Sequence, residues 1–123
     1  MHSAAHIPVL LEETIAAWFS RPDGIYVDGT FGRGGHSKAL LERLDAQASL
    51  LAIDRDPLAI DAAHQLQRSF PQLQVEQDGF ANMLRYVEAR GWIGCVDGIL
   101  LDLGMSSPQL DSAERGFSFM RHG

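Results

Sequence analysis

The sequence predicts an α/β fold in which helices cover a parallel sheet, and three observations carry that prediction. Short strand-like apolar runs alternate with stretches of helical spacing along the 123 residues. A chain that alternates this way pairs its strands in parallel through right-handed helical crossovers. One run, Ser49-Leu50-Leu51-Ala52-Ile53-Asp54, is apolar without interruption, as expected for a strand covered on both faces. The third observation is that Asp28, Asp54, Gly79-Phe80 and Asp102 all fall where strand-like runs end. Open α/β sheets bind ligands along that rim.

The elements follow in order. From Val9 to Phe19, Leu11, Ile15, Trp18 and Phe19 recur at helical spacing, and Arg21-Pro22-Asp23-Gly24 is the turn that stops the helix. Ile25 to Asp28 is the first strand, and a helix is predicted from about Gly35 to Leu44. Ser49 to Asp54 is the second strand. Asp56-Pro57 then opens a helix with a cap residue and a proline at the first position, with Leu58, Ala62 and Leu66 as its inward stripe. Leu73 to Glu76 is a weaker strand. Phe80 to Ala89 is a helix with Met83, Leu84 and Val87 turned inward, and Val96 to Leu103 is the fourth and most apolar strand. Residues 1–23 read as an N-terminal helical segment and residues 24–123 as the start of a ligand-binding sheet domain.

Composition narrows the setting. With 46% hydrophobic and 21% charged residues, the balance is that of one ordinary globular core. No apolar run approaches a membrane span, and Met1-His2-Ser3-Ala4-Ala5 has no basic segment leading into an apolar one. The single cysteine, Cys95, cannot form an internal disulfide and is expected to be buried and structural. These features point to a reducing cytoplasm and no membrane partner. The net charge of −6 means that any nucleic-acid contact depends on a local basic surface or on residues outside this stretch. No metal site is predicted.

Asp28-Gly29-Thr30-Phe31-Gly32-Arg33-Gly34-Gly35-His36 is the most informative stretch. A Gly-rich turn between strand and helix lets backbone amides approach a ligand and points a helix N-terminus at it. Asp54 ends the next strand about 20 residues on, where a ribose-binding carboxylate belongs in a nucleotide-cofactor fold. A phosphate-binding loop would require Lys and Ser/Thr after its last glycine, but Gly35 and His36 follow Gly34. A dinucleotide fingerprint read from Gly32 meets Ser37 where Gly or Ala should pack the helix on the strand, which disfavours an NAD-dependent oxidoreductase. An acidic residue at the first strand end suits a cationic ligand, such as the sulfonium and ammonium of S-adenosylmethionine. The plainer alternative is a tight turn whose carboxylate caps the helix.

Four blocks carry a family resemblance: HIPVLLEE from His6, DGTFGRGGHS from Asp28, AIDRDPLAI from Ala52 and DGILLDLGMSSPQLDSAERGFSFM from Asp97. Together they resemble the bacterial small-subunit (16S) ribosomal RNA cytosine-N4 methyltransferase family. The resemblance implies a Rossmann-like S-adenosylmethionine-dependent methyltransferase fold, of which this chain supplies the first four parallel strands with their flanking helices. It also implies methyl transfer to the exocyclic amine of a cytidine in small-subunit ribosomal RNA. That family continues past a Leu-Asp-Met-Arg-like motif into an inserted helical domain and the rest of the sheet. Two readings therefore stand: part of such an enzyme, or a non-catalytic cofactor-binding or interaction module. With the following strand missing, Ile99-Leu100-Leu101 would be an unpaired apolar edge, which predicts self-association through the fourth strand.

Residue by residue, the resemblance implies that Gly34, Gly35 and His36 line the methionine end of the cofactor and that Asp54 grips the ribose hydroxyls. It further implies that Phe80 packs on adenine and that Asp102 and Gln109 contact the cofactor near the reacting methyl. The plainer readings are a helix cap for His36 and a core residue for Phe80. The cytosine amine is a poor nucleophile and must be held in line, with reacting atoms about 3–3.5 Å apart, beside a group that accepts its proton. Asp102 is the first candidate for that catalytic acceptor, and the Ser106-Ser107 loop after the same strand is a candidate pocket wall.

Overall fold

In the computed structural model, residues 6–103 and 117–120 are described. The elements are helix α1 (His6–Trp18), strand β1 (Ile25–Asp28), α2 (Gly35–Leu41), β2 (Ser49–Asp54), α3 (Pro57–Ser69), β3 (Leu73–Gln77), α4 (Met83–Ala89), β4 (Gly98–Asp102) and β5 (Phe117–Met120). They form one sheet in the order β3-β2-β1-β4-β5. The first four strands are parallel, in agreement with the sequence. In register, Val27 faces Leu51 on one side and Ile99 on the other.

Side-chain alternation along the strands divides the core into two layers. Tyr26, Leu50, Ala52, Leu73 and Leu100 point to the face where Ile15 and Trp18 of α1, Leu40 and Leu41 of α2, and Ala59 and Ala63 of α3 are buried. Val27, Leu51 and Ile53 point to the other face, with Val87 of α4 and Val96. The crossovers through α2 and α3 thus lie on one face and the crossover through α4 on the other. The chain reverses its direction of travel across the sheet between β1 and β4, and that switch point opens a crevice at the strand C-termini.

The structure departs from the sequence expectations at several points. The β4 edge is not bare: β5 pairs with it in antiparallel sense, Leu100 opposite Phe119 and Asp102 opposite Phe117. The backbone groups expected to recruit a second chain are satisfied within this one, so self-association through that edge loses its basis. Leu58 is 76% exposed and Leu84 64% exposed. In α3 the buried stripe is Ala59, Ile60 and Ala63, with Ala62 and Leu66 beside it; alanines let the helix lie close to the sheet and turn Leu58 outward. A 3-10 turn, Phe80–Asn82, precedes α4 and shifts its inward face to Met83 and Val87. Helix α2 ends at Leu41, where Arg43 N–H donates to Leu40 O and Leu44 N–H to Leu41 O in tightened i to i+3 bonds. Cys95 is exposed, because β4 begins only at Gly98 and Cys95 closes a turn onto Trp92 O (2.8 Å).

Candidate functional site

The rim above the switch point is built by a loop that the sheet itself holds down. After β1, Gly29 N–H donates to Leu100 O (2.9 Å) and Phe31 N–H to Ile53 O (3.1 Å), so the loop straddles the ends of β4 and β2. Phe31 is buried beneath the loop. Gly34, the residue before α2, has φ 86°, and a Cβ there would lie 2.6 Å from Phe31 Cζ. Both the left-handed backbone and the aromatic ring below require glycine at this place.

Every parallel strand delivers an aspartate to this rim: Asp28, Asp54 and Asp102 end β1, β2 and β4, and Asp78 directly follows β3. Their states differ. Asp28 is 1% exposed; its Oδ2 accepts from Ser37 Oγ (2.7 Å) and its Oδ1 from Thr30 N–H (3.1 Å). Burial pushes its carboxyl up to about 6; the two hydrogen bonds oppose this, while the nearby Asp102 and Asp54 charges add to it. Asp28 is therefore a support buried under the loop, short of direct contact with a ligand.

Asp54 is half-buried at the loop's flank. Its Oδ2 accepts from Gly32 N–H (2.7 Å) and its Oδ1 from Asp56 N–H (2.9 Å). Asp56 in turn caps α3, with its Oδ1 accepting from Leu58 N–H (2.9 Å). Asp78 Oδ1 accepts from Gly79 N–H (2.7 Å) and Asn82 Nδ2 (2.8 Å), and its Oδ2 accepts from Tyr86 Oη (2.7 Å). Hydrogen bonds from Asn82 and Tyr86, then from Gly79, hold its carboxyl down at about 2; the same contact raises the Tyr86 phenol. This network braces the 3-10 turn that carries Phe80. Phe80 is 42% exposed, so its ring is available at the cleft instead of packed in the core.

Gly29, Thr30, Asp54, Arg55, Asp78, Gly79 and Phe80 line a cleft of about 220 Å³. That is below the roughly 300–1,000 Å³ of pockets that enclose a whole small molecule. These walls are large enough for one part of a ligand, and Gly34, Gly35, His36 and Asp102 border the same rim. His36 is half-buried; burial lowers its imidazole pKa, and the neighbouring Asp102 charge pulls it back upward. Carboxylates on three strand ends around one crevice favour a ligand carrying positive charge.

The described residues thus bring Gly34, Gly35, His36, Asp54, Phe80 and Asp102 to one rim. Gln109, Ser106 and Ser107 lie outside the described residues. A family model for the MraW methylase family matches residues 3–123. The chain belongs to this family.

Relatives of this MraW-family chain carry the name ribosomal RNA small subunit methyltransferase H. Those of Shewanella oneidensis and Shewanella amazonensis are 57% and 56% identical over 119 residues, which is 97% of this chain and 38% of each relative. The chain therefore spans a little over a third of the length of these curated relatives. Among solved structures, an rRNA methylase from Streptococcus thermophilus superposes with TM-score 0.55 at 16% identity, covering 87% of this chain and 75% of that one. Pyrococcus horikoshii TYW2 in complex with MeSAdo gives TM-score 0.54 at 14% identity, covering 94% of this chain and 51% of that one. At such identities the superpositions establish the fold, a Rossmann-like methyltransferase sheet.

Sequence reasoning missed Thr30, Arg55 and Asp78 as cleft residues. Asp78 had a usable signal, since it follows its strand as the other three aspartates end theirs. Thr30 and Arg55 lie inside the quoted blocks, but nothing there singled them out, because only the folded loop and the Arg55 guanidinium against Gly79 bring them to the cleft.

Proposed function

We propose that this chain forms the cofactor-binding part of an S-adenosylmethionine-dependent methyltransferase acting on the exocyclic amine of a cytidine in small-subunit ribosomal RNA. The observation that carries the reading is the rim itself: a Gly-rich loop folded against Asp54, with an exposed Phe80 at the same cleft. Those residues fit an adenosyl group. Phe80 offers a flat apolar face for adenine, and Asp54 offers carboxylate lone pairs to ribose hydroxyls while already holding Gly32 N–H. Gly34, Gly35 and His36 border the methionine end, and the acidic surroundings set by Asp28, Asp54 and Asp102 favour a cationic centre there. When bound, S-adenosylmethionine supplies an electrophilic methyl group.

The chain's own residues then have separable tasks. Asp102 accepts the proton of the cytosine amine as the new bond forms, and Gln109 completes the contacts near the methyl. The target base enters from a single-stranded or unstacked state, since the amine of a stacked base cannot reach such a rim. A ribosomal substrate places the protein in the cytoplasm.

Calorimetric titration of the 123-residue chain with S-adenosylmethionine tests the reading. Binding is expected in the micromolar range, with Asp54→Ala weakening it about tenfold or more, since each hydrogen bond to a charged group is worth roughly 1.5–3 kcal/mol. Equal affinity of the two proteins removes Asp54 from the site. Preference for NAD over S-adenosylmethionine overturns the cofactor assignment. In the protein at the length of its relatives, Asp102→Asn is expected to abolish methyl transfer to ribosomal RNA while sparing cofactor binding; loss of both together removes the proton-acceptor role.

A further inference from the structure

The β1–β4 ladder pairs Tyr26 with Gly98, Val27 with Ile99 and Asp28 with Leu100, and there it stops. Gly29 still donates to Leu100 O, but Phe31 N–H already bonds Ile53 O of β2, so the chain has turned away from β4. The next β4 amide that faces β1, that of Asp102, therefore finds no strand carbonyl there. It donates instead to a side chain, Thr30 Oγ1, at 2.6 Å across a sequence separation of 72 residues. Thr30 is itself fixed from behind: its N–H donates to Asp28 Oδ1 (3.1 Å), and Asp28 is buried and held by Ser37. A β-branched side chain adds to this a restricted χ1. Thr30 also lines the cleft that contains Asp54 and Phe80.

We propose that Thr30 is the positioning residue that sets Asp102 relative to the Gly-rich loop, its hydroxyl replacing the ladder carbonyl that β1 no longer supplies. The proposal rests on the assignment of Asp102 to the reacting end of the cofactor site. The bond ties the end of β4 to the loop over β1 where the sheet's own hydrogen bonding runs out. Without it, the end of β4 keeps its β5 partner but loses this tie to the loop that holds the same ligand. A hydroxyl is the smallest acceptor that reaches the amide from a loop residue already bent towards Asp28. Serine keeps that acceptor, and valine keeps the shape without it.

Two measurements test the proposal, the first of them on the 123-residue chain. The Asp102 amide proton resonance reports the contact directly: it is expected well downfield in the unmodified protein and in Thr30→Ser, and shifted upfield in Thr30→Val. Methyl transfer to ribosomal RNA by the protein at the length of its relatives reports the consequence: Thr30→Val is expected to lower kcat about tenfold while S-adenosylmethionine binding stays within about twofold, and Thr30→Ser to stay within about twofold of the unmodified protein in both. Should Thr30→Val fail to fold, Thr30→Ala carries the same comparison. An unmoved Asp102 amide, or a valine variant that turns over as fast as the unmodified protein, overturns the positioning role. A shifted amide in a chain that binds no S-adenosylmethionine overturns the functional reading instead, while the Thr30–Asp102 contact stands.

Discussion

The two ends of the sheet carry hollows of opposite character. At the strand N-termini lies the larger one, about 600 Å³, bordered by Leu41, Leu44, Ala48, Phe70 and Gln72 among others. At the strand C-termini the cleft is about 220 Å³, yet it collects side chains from the ends of β1, β2 and β3, with Asp102 of β4 beside them. The larger hollow is a gap between packed elements. The smaller one gathers charges that folding would otherwise keep apart. Charge distinguishes the two better than volume does: Asp54, Arg55 and Asp78 line the smaller hollow, against Glu42 in the larger. The far end should hold stability and the rim should hold binding.

Substitution at the far end gives the largest expected effect. Trp18 is 1% exposed and packs edge-on against Tyr26, with its carbonyl and ring close over Gly98 at the start of β4. Trp18→Ala should destabilise the fold by about 3–5 kcal/mol in urea denaturation. Folded molecules of the variant should keep their affinity for S-adenosylmethionine. Loss of affinity without loss of stability would break the division between the two ends.

Asp28 gives the reverse signature. Its native pKa of about 6 lies above the ordinary 3.8, so the native state holds a proton that the unfolded chain releases first. Stability from this group is full below about pH 4, falls as pH rises towards about 6, and is flat above. The cost of the buried charge at neutral pH is about 3 kcal/mol, at 1.36 kcal/mol per pKa unit. Asp28→Asn should flatten the pH 4–6 slope in denaturation experiments while weakening S-adenosylmethionine binding. Asp78 does not obscure this slope. Its pKa of about 2 is below the ordinary value, so its contribution is lost only as pH falls below about 4. A variant with the slope unchanged would show that Asp28 is not the titrating group.

Two glycines sharpen the comparison with the smallest effect. Gly34 at the rim and Gly91 beyond α4 both have positive φ, 86° and 72°. An alanine costs about 1–3 kcal/mol at either for backbone conformation alone. Only Gly34 adds a collision, with Phe31, whereas a Cβ on Gly91 meets nothing within 4 Å. Gly34→Ala should therefore be more destabilising by about 1 kcal/mol and should also lower cofactor affinity, whereas Gly91→Ala should leave affinity unchanged. Equal effects on affinity would mean that the loop is not specifically shaped for the ligand.

What the sequence determined by itself is the alternation of elements and the chemistry placed at their ends. The apolar runs ending in Asp28, Asp54 and Asp102, the Gly-rich turn and the Asp56-Pro57 helix start are local signals, and local signals survive without knowledge of the partners. The family resemblance added roles for Gly34, Gly35, His36 and Phe80, and the fold brings them to the same rim. Tertiary structure decided what depends on which surfaces meet. The inward stripe of α3 passes through Ala59 and Ala63, because close approach to the sheet selects small residues over the larger Leu58. The edge of β4 is covered by β5, a pairing made across a long stretch of chain. Asp28 is buried and protonates near pH 6, and Thr30 reaches Asp102, because the sheet's switch point folds the loop inward. Such contacts join residues distant in sequence, and no periodicity or spacing within one segment encodes them.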